Sequence, residues 1–467
     1  MTLRARALRA AIVLAAVELA ALLLSSMPSP TGTLAGLLVT STPGPIATWF
    51  LQLFRGAARP LTVVAAAGTL VAVATLASSL VPGRRATAPQ VDEQPDEQPD
   101  EQPDEPTTPR SAPQPPAIGR RALLAGLGLG GLALVGGAML LRPRATGTHV
   151  ALAGRMRARR GLPPLTAAQD LSGTLPGLTP MLTPVEDFFR IDTAITLPRV
   201  DAATWTLRVH GRVEREVVLD LDDLIDLGLE EHDATISCVS NEVAGGLVGT
   251  ARWTGVPLAR VLELAGPLPD ADQLVGRSVD GWTGGFPTAL ASAPDALVAI
   301  GMNGVELPVR HGYPARLVVP GLYGYVSATK WLSDLELTRW DDYDAYWIRR
   351  GWAKSGPVKT MTRIDVPGRV VTPGTVRVAG VAWAPPRGIS AVELRVDRGP
   401  WLEAQCSDPL GDAVWRQWFI DVELEPGDHV LQARAIDGSG EVQPEGPRDV
   451  LPDGAEGWHW IPVLARA

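Results

Sequence analysis

Cysteine is nearly absent from this 467-residue chain, which holds Cys238 and Cys406 and no other. Cys238 stands in ATISCVSNEVAGG, after a short β-like run and before a glycine-rich turn. Ser240, Asn241 and Glu242 follow it at once, whereas a cysteine kept only for packing more often has apolar neighbours. The residues leave three readings open. Cys238 is a small buried hydrophobe, a nucleophile with His311 as its base, or a thiolate metal ligand in a polar loop. A second cluster, RHGYPARLVVPGLYGYVSATKWL, places Arg310, His311, Arg316 and Lys330 around one apolar strand at 317–319. Four donors at strand ends suit a phosphate or another oxyanion through charge-assisted bonds. An exposed basic rim is the alternative. A third cluster, EDFFRIDTAITLPRV, puts Arg190 between an aromatic pair and a strand.

The cysteine count excludes a disulfide framework, a CxxC metal site and iron–sulfur clusters, and no CxxCH is present for c-type haem. A Cys238–Cys406 bond, across 168 positions, is not expected. Net charge is −9, but residues 92–105 carry eight acids, so the remainder is nearly balanced and offers no basic surface for nucleic acid.

The elements that must hold these clusters are short. Strand-like runs occur at 204–209, 217–219, 235–238, 274–279, 296–302, 315–319 and 335–338, and helical signals at 221–227 and 257–264. This pattern predicts a mixed α+β domain from about residue 165. From residue 360 the sequence changes to VRVAGVAWA, AVELRVD, WRQWFIDVEL, HVLQARAID and GWHWIPVLA, separated by Gly/Pro turns. Alternating strands at that spacing predict a β-sandwich.

The first 145 residues read differently. Apolar stretches at 10–26, 61–81 and 122–141 are expected to cross a membrane. Their basic flanks place everything after residue 141 on the extracytoplasmic side, although Arg55 and Arg59 oppose that topology. Glu18 lies within the first stretch. The DEQP repeat at 92–106 has no apolar residue and reads as an acidic, proline-rich linker. GLGLGG at 126–131 satisfies GxGxxG, but no strand precedes it, so it reads as helix packing and not as a nucleotide loop. Arg120-Arg121 before an apolar run resembles a twin-arginine export signal; a plain basic flank is the alternative.

In their order and spacing, the three clusters resemble the sulfite oxidase family of molybdopterin-dependent oxidoreductases over about residues 165–352. The sandwich resembles that family's immunoglobulin-like dimerisation domain. Together with the apolar stretches and the acidic repeat, the resemblance points to a membrane-anchored bacterial member divided into a membrane region (1–91), a linker (92–119), a third span (120–145), a molybdopterin-binding catalytic domain (160–355) and an immunoglobulin-like β-sandwich (360–467). It implies that Cys238, ahead of ARWTGVPL, is the one protein ligand to molybdenum; a soft sulfur suits that metal. It further implies that Phe188, Phe189, Arg190, Ile191 and Asp192 touch the pterin, that His311 and Arg316 bind its phosphate, and that Ala328, Thr329 and Lys330 close over it. Ser278 is a further candidate. Arg190 would orient the substrate, and Trp253 and Trp352 would wall its pocket. The chain departs from the family where Asp192 replaces a histidine, Val243 an anion-binding arginine and Trp352 a pocket tyrosine. A pocket missing one cation should bind sulfite less well.

The implied activity is two-electron oxygen-atom transfer on a small oxyanion or an S- or N-oxide. The metal cycles between Mo(VI) and Mo(IV), and electrons pass to or from a separate cytochrome or quinone-linked protein. No haem or iron–sulfur cluster is expected in the chain itself. Membrane lipid and a second copy in a homodimer complete the expected partners. Two alternatives differ in class: a non-catalytic, membrane-anchored surface protein that retains the fold, and a Cys238–His311 hydrolase.

Overall fold

In the computed structural model, residues 158, 160–194 and 196–466 are described, and they fall in one compact unit. Two sheets form before residue 340. The first has the order β2-β1-β10-β5-β6, built from Thr206–Gly211 (β1), Val217–Asp220 (β2), Leu332–Thr338 (β10), Gln273–Ser278 (β5) and Thr283–Pro287 (β6). In β1 the alternation of TLRVHG turns Leu207 and Val209 fully inward while Thr206 and Arg208 face solvent. Its pairing with β10 is parallel, Arg208 opposite Asp334, and the other pairs of this sheet are antiparallel.

The second sheet has the order β3-β4-β7-β8, with β9 added to β7. Its strands are Glu230–Ser237 (β3), Val248–Pro257 (β4), Leu297–Met302 (β7), Val305–Glu306 (β8) and Arg316–Val318 (β9). Short helices join these strands: Leu221–Asp226 (α1), Leu258–Glu263 (α2) and Gly324–Ser327 (α3). A reciprocal capping box between Asp220 and Asp223 starts α1. The ten-residue β4 is buried on both faces, so it lacks the alternation that marks a half-exposed strand. Two of its glycines are fitted to close neighbours. A Cβ at Gly255 would lie 2.4 Å from the Val298 carbonyl oxygen, and one at Gly249 2.9 Å from the Phe188 ring.

From residue 361 onward two further sheets face each other. One has the order β11-β13-β17-β16 and the other β12-β19-β18-β14-β15. Their strands are Met361–Val366 (β11), Val370–Val371 (β12), Gly374–Trp383 (β13), Ile389–Val396 (β14), Leu402–Glu403 (β15), Gln405–Cys406 (β16), Arg416–Leu424 (β17), Gly427–Asp437 (β18) and His459–Ala465 (β19). Val376, Val378 and Trp418 from one sheet share a core with Val392, Leu394, Leu431 and Val463 from the other, which makes this a β-sandwich. The sandwich grips β3 directly. Thr235 N–H donates to the Ala413 carbonyl at 2.9 Å, Trp415 N–H to Thr235 Oγ1 at 2.7 Å, and the Trp415 indole to the Met181 carbonyl at 2.8 Å.

The expected multi-pass membrane location, with its lipid contacts, does not stand. Among the described residues no helix is long and apolar enough to cross a membrane. The stretches at 10–26, 61–81 and 122–141, the acidic linker and the twin-arginine-like segment all lie outside the described residues.

Burial holds the His459 imidazole neutral, lowering its pKa from the ordinary 6.5 to about 4, and its Nδ1 accepts from Ile364 N–H at 2.9 Å. The unfolded chain therefore takes up this proton at a higher pH than the fold does. The contribution is complete above about 6.5 and is lost as pH falls from 6.5 towards 4. His311, whose pKa burial also lowers to about 4, adds in the same direction. Thermal melts are thus expected to show a falling Tm across this window, with a shallower fall in His459→Gln than in wild type.

Candidate active site

Cys238 follows the last residue of β3, where the strand leaves the sheet and enters a tight loop back to β4. The loop closes on itself. Cys238 N–H donates to the Leu247 carbonyl at 2.9 Å, Asn241 N–H to the Cys238 carbonyl at 3.0 Å, and Leu247 N–H to Asn241 Oδ1 at 2.8 Å. Cys238 itself is 8% exposed. Burial pushes its thiol pKa up, against hydrogen bonds from the Ser240 N–H and hydroxyl and the charge of Lys330. The thiol thus sits in the field of the second cluster, a surrounding that pure packing does not require.

That cluster is built by β9 and its flanks. Arg316 begins β9 and is 4% exposed. Its Nε donates to the Leu317 carbonyl at 3.3 Å and its Nη1 to the His311 carbonyl at 3.1 Å. Its guanidinium lies 4.9 Å from the centre of the Trp253 ring. Among the described residues no carboxylate pairs with it, and burial alone lowers its pKa to about 9. Lys330, with its side chain 10% exposed, donates to Asp192 Oδ2 at 2.9 Å. Burial lowers its pKa to about 8 in spite of that partner. These two cations are not the exposed rim that the spacing allowed.

The His311 Nε2 meets the Val185 carbonyl at 3.0 Å. A carbonyl only accepts, so Nε2 carries the proton and Nδ1 is the acceptor. Burial keeps the ring neutral, and Arg316, Arg310 and Lys330 push the same way. His311 thus faces Val185 through Nε2, and no hydrogen bond joins it to Cys238 among the described residues.

Residues 188–192 run through an irregular segment, and among the described residues the first strand begins at Thr206. Phe188, 2% exposed, stands edge-on to Trp253 and to His311, both at 5.8 Å, and stacks on Phe189 at 5.2 Å. Arg310 Nη2 donates to the Glu186 carbonyl at 3.0 Å, so the turn carrying Arg310 and His311 is docked on this segment. Asp192 lies between two cations. Arg190 reaches it through Nε at 2.8 Å and Nη2 at 3.3 Å, beside the Lys330 contact. Ile191 points outward, 49% exposed. Thr329 is fully buried, its carbonyl accepting from Leu317 N–H at 2.9 Å, which places Ala328, Thr329 and Lys330 alongside β9. Ser278 ends β5, buried.

Trp352 lies further out but connects to the same centre. Its ring is 5.8 Å from Tyr325 and 6.4 Å from Trp347. Its indole N–H is buried with no partner among the described residues. Tyr325 and Tyr323 flank Gly324, where a Cβ would lie 3.8 Å from the Ser237 carbonyl oxygen. Burial raises the Tyr323 pKa to about 12, opposed by a hydrogen bond from Lys359 N–H, and proximity to Cys238 adds to the rise. Sequence reasoning missed these two tyrosines. GLYGY lies inside the basic cluster at 310–332, but its neutral hydroxyls carry no charge pattern that marks them. It also missed Thr183 and Val185, whose backbone carries contacts that no side-chain pattern shows.

The donors present fit a large polyanionic group. A fully buried guanidinium without a carboxylate is costly, and an anion brought into the site offsets that cost. A neutral imidazole, an ammonium and the backbone around β9 add further polar contacts, and a lone thiol within reach of Lys330 supplies a soft donor.

Comparison with known proteins agrees with this donor set. A family model described as an oxidoreductase molybdopterin binding domain matches residues 194–347. The sulfite oxidase of Gallus gallus is 31% identical over 315 residues, covering 56% of this chain and 68% of that protein. The mitochondrial sulfite oxidase of Mus musculus is 30% identical, covering 56% of this chain but 57% of that protein, so this chain spans little more than half the length of the mouse enzyme. An uncharacterized oxidoreductase of Bacillus subtilis, YuiH, is 31% identical over 160 residues and 76% of its length. Among solved structures, the sulfane dehydrogenase SoxCD from Paracoccus pantotrophus shares the fold, with a TM-score of 0.54 at 20% identity, over 70% of this chain and 95% of that one.

The lone buried guanidinium gives a test that separates binding from stability. In the metal-free protein, Arg316→Met removes an uncompensated charge and is expected to be neutral or to stabilise the fold by about 1–4 kcal/mol in urea melts. The same change is expected to weaken inorganic phosphate binding by roughly 10-fold. Destabilisation would mean that the charge is already compensated. The fold, the buried cationic cradle beside a single thiol and the comparisons converge: this chain belongs to the sulfite oxidase family of molybdopterin-dependent oxidoreductases, enzymes built on the molybdenum cofactor.

Proposed function

We propose that the chain catalyses two-electron oxygen-atom transfer on a small substrate at a molybdenum held by the Cys238 sulfur. The observation that carries this reading is the buried Arg316 guanidinium, which pairs with no carboxylate among the described residues, together with Lys330, whose charge bears on the buried Cys238 thiol. The metal and its dithiolene supply the redox change and the transferable oxygen. The protein's part is to bind, orient and exclude water. Arg316 would hold the cofactor's phosphate, and His311 would join it once the anion's charge protonates Nδ1, which is the acceptor in the neutral ring; Ala328, Thr329 and Lys330 would lie along one side and Phe188, Phe189, Arg190, Ile191 and Asp192 along another. Trp253, fully buried, backs Arg316. Trp352 would line the substrate pocket, its unpartnered indole N–H a donor for substrate oxygen.

Asp192 bears on the substrate. Its carboxylate already pairs with both Arg190 and Lys330, and position 243 holds valine in place of a further cation. A doubly charged anion gains less from paired cations than from unpaired ones. The site therefore suits an S- or N-oxide, or a singly charged oxyanion, better than sulfite. The two electrons would be exchanged one at a time with a separate redox protein, a cytochrome or a quinone-linked carrier. We assign residues 160–355 to the cofactor domain. Residues 360–467, a two-sheet sandwich, are assigned to an immunoglobulin-like domain of the dimerisation type, which makes a homodimer the expected assembly.

Turnover of purified protein, with ferricyanide as acceptor for sulfite and reduced viologen as donor for dimethyl sulfoxide and trimethylamine N-oxide, tests this reading. Wild type is expected to carry molybdenum and to turn over an S- or N-oxide faster than sulfite, with a loss of roughly 100-fold or more in Cys238→Ser. Metal-free protein inactive on every substrate would favour a non-catalytic interaction protein that retains the fold.

A further inference from the structure

We propose that Arg363, which lies in the β-sandwich, is a positioning residue that holds the Cys238 sulfur in place through the loop that follows it. This rests on the reading of Cys238 as the metal's protein donor. Arg363 is in β11, and each arm of its guanidinium has a separate partner. Nε donates to Asp365 Oδ1 at 2.6 Å, Nη2 to Thr179 Oγ1 at 2.7 Å, and Nη1 to the Gly245 carbonyl at 3.0 Å. Asp365, its side chain 8% exposed, also accepts from Thr179 N–H at 3.1 Å. Arg363, Asp365 and Thr179 therefore close a ring with little freedom, and a planar guanidinium held at two points fixes its third arm.

That third arm reaches the Cys238 loop, which no strand pairing supports. Residues 238–247 leave β3 and return to β4 without strand pairing. Ala244 adopts φ +66°, a left-handed conformation that residues with a Cβ resist, so the surroundings must hold it. Gly245, next to it, has its N–H on the Glu242 carbonyl and its own carbonyl on Arg363. A Cβ at Gly245 would lie 2.4 Å from Asn241 Oδ1, the atom that receives Leu247 N–H. Leu247 in turn accepts from Cys238 N–H. The path from the guanidinium to the sulfur-bearing residue thus runs through one loop, by the Gly245–Glu242 and Leu247–Cys238 hydrogen bonds and the short covalent steps between them. The other partner, Thr179, precedes the segment carrying Val185 and Phe188, so one side chain ties both flanks of the site to the sandwich.

The test uses the full chain in its metal-free form, with native-state alkylation of both thiols followed by peptide mapping. Cys406, in β16, is the internal control, since Arg363 has no contact with it among the described residues. In Arg363→Ala, labelling of Cys238 is expected to accelerate by roughly 10-fold through local opening of the loop, with Cys406 unchanged. Arg363→Lys, which can keep Asp365 but not all three partners, is expected to fall between wild type and alanine. If Arg363→Ala does not fold, Arg363→Lys is judged by the same criterion. Unchanged Cys238 labelling, or equal acceleration at both cysteines, would reduce Arg363 to a general stabilising residue and overturn the proposal. The thiol readout needs no metal, so it succeeds or fails independently of whether Cys238 binds molybdenum. In the loaded protein the same variant is expected to shift the Mo(V) resonance, and an unshifted resonance would likewise count against it.

Discussion

A guanidinium taken out of water without a counter-charge is among the more costly things a fold can contain, and Arg316 is such a group. Around it the structure spends its best polarising surfaces. The face of Trp253 lies beneath it, two backbone carbonyls accept from it, and β9 holds its backbone beside β7. The consequences spread outward. The nearby cations help burial keep His311 neutral, so the imidazole acts as a one-sided donor to Val185. Lys330 is kept charged in part by Asp192, which also draws in Arg190. The thiol of Cys238 lies at the edge of the same field. Asp192, paired with Arg190 and Lys330, leaves Arg316 without a paired carboxylate among the described residues, a position suited to an anion, and the family's cofactor would bring both a phosphate and the soft-metal chemistry that the thiol matches.

The support for this site comes from two directions. β3 and β4 deliver the cysteine from within one sheet, while the sandwich reaches back through Trp415, Gln417 and Arg363 to residues 171–181, to Thr235 and to Gly245. Trp415 sits on Thr235, three residues before the cysteine. The contacts are too many and too well buried for the sandwich to be a passive appendage, since a catalytic ligand is only as well placed as the residues that brace it.

Much of this could be read in the sequence, and the parts that could not share a cause. The alternating strands 206–211 and 427–437 fall close to their predicted places, as do the apolar, β-branched runs at 273–278, 374–383 and 389–396. β4 was not legible, because it is buried on both faces and carries glycines where backbone and ring approach closely. The residues of the site could be singled out because thiols and imidazoles are rare in this chain, with two cysteines and six histidines, and the cations beside them are chemically marked. Their pairings could not. That Asp192 would bridge Arg190 and Lys330, or that a residue at 363 would reach a carbonyl at 245, depends on tertiary approach across more than a hundred positions. The irregular course of 188–192 was likewise hidden, since its placement comes from ring stacking and backbone contacts rather than from any periodic pattern.

X-ray absorption at the molybdenum edge addresses the central claim most directly, because it counts the sulfur neighbours of the metal. The account predicts that the wild-type protein shows a sulfur shell that loses one neighbour in Cys238→Ser, with a light atom or nothing in its place. An identical sulfur shell in the two proteins would contradict it.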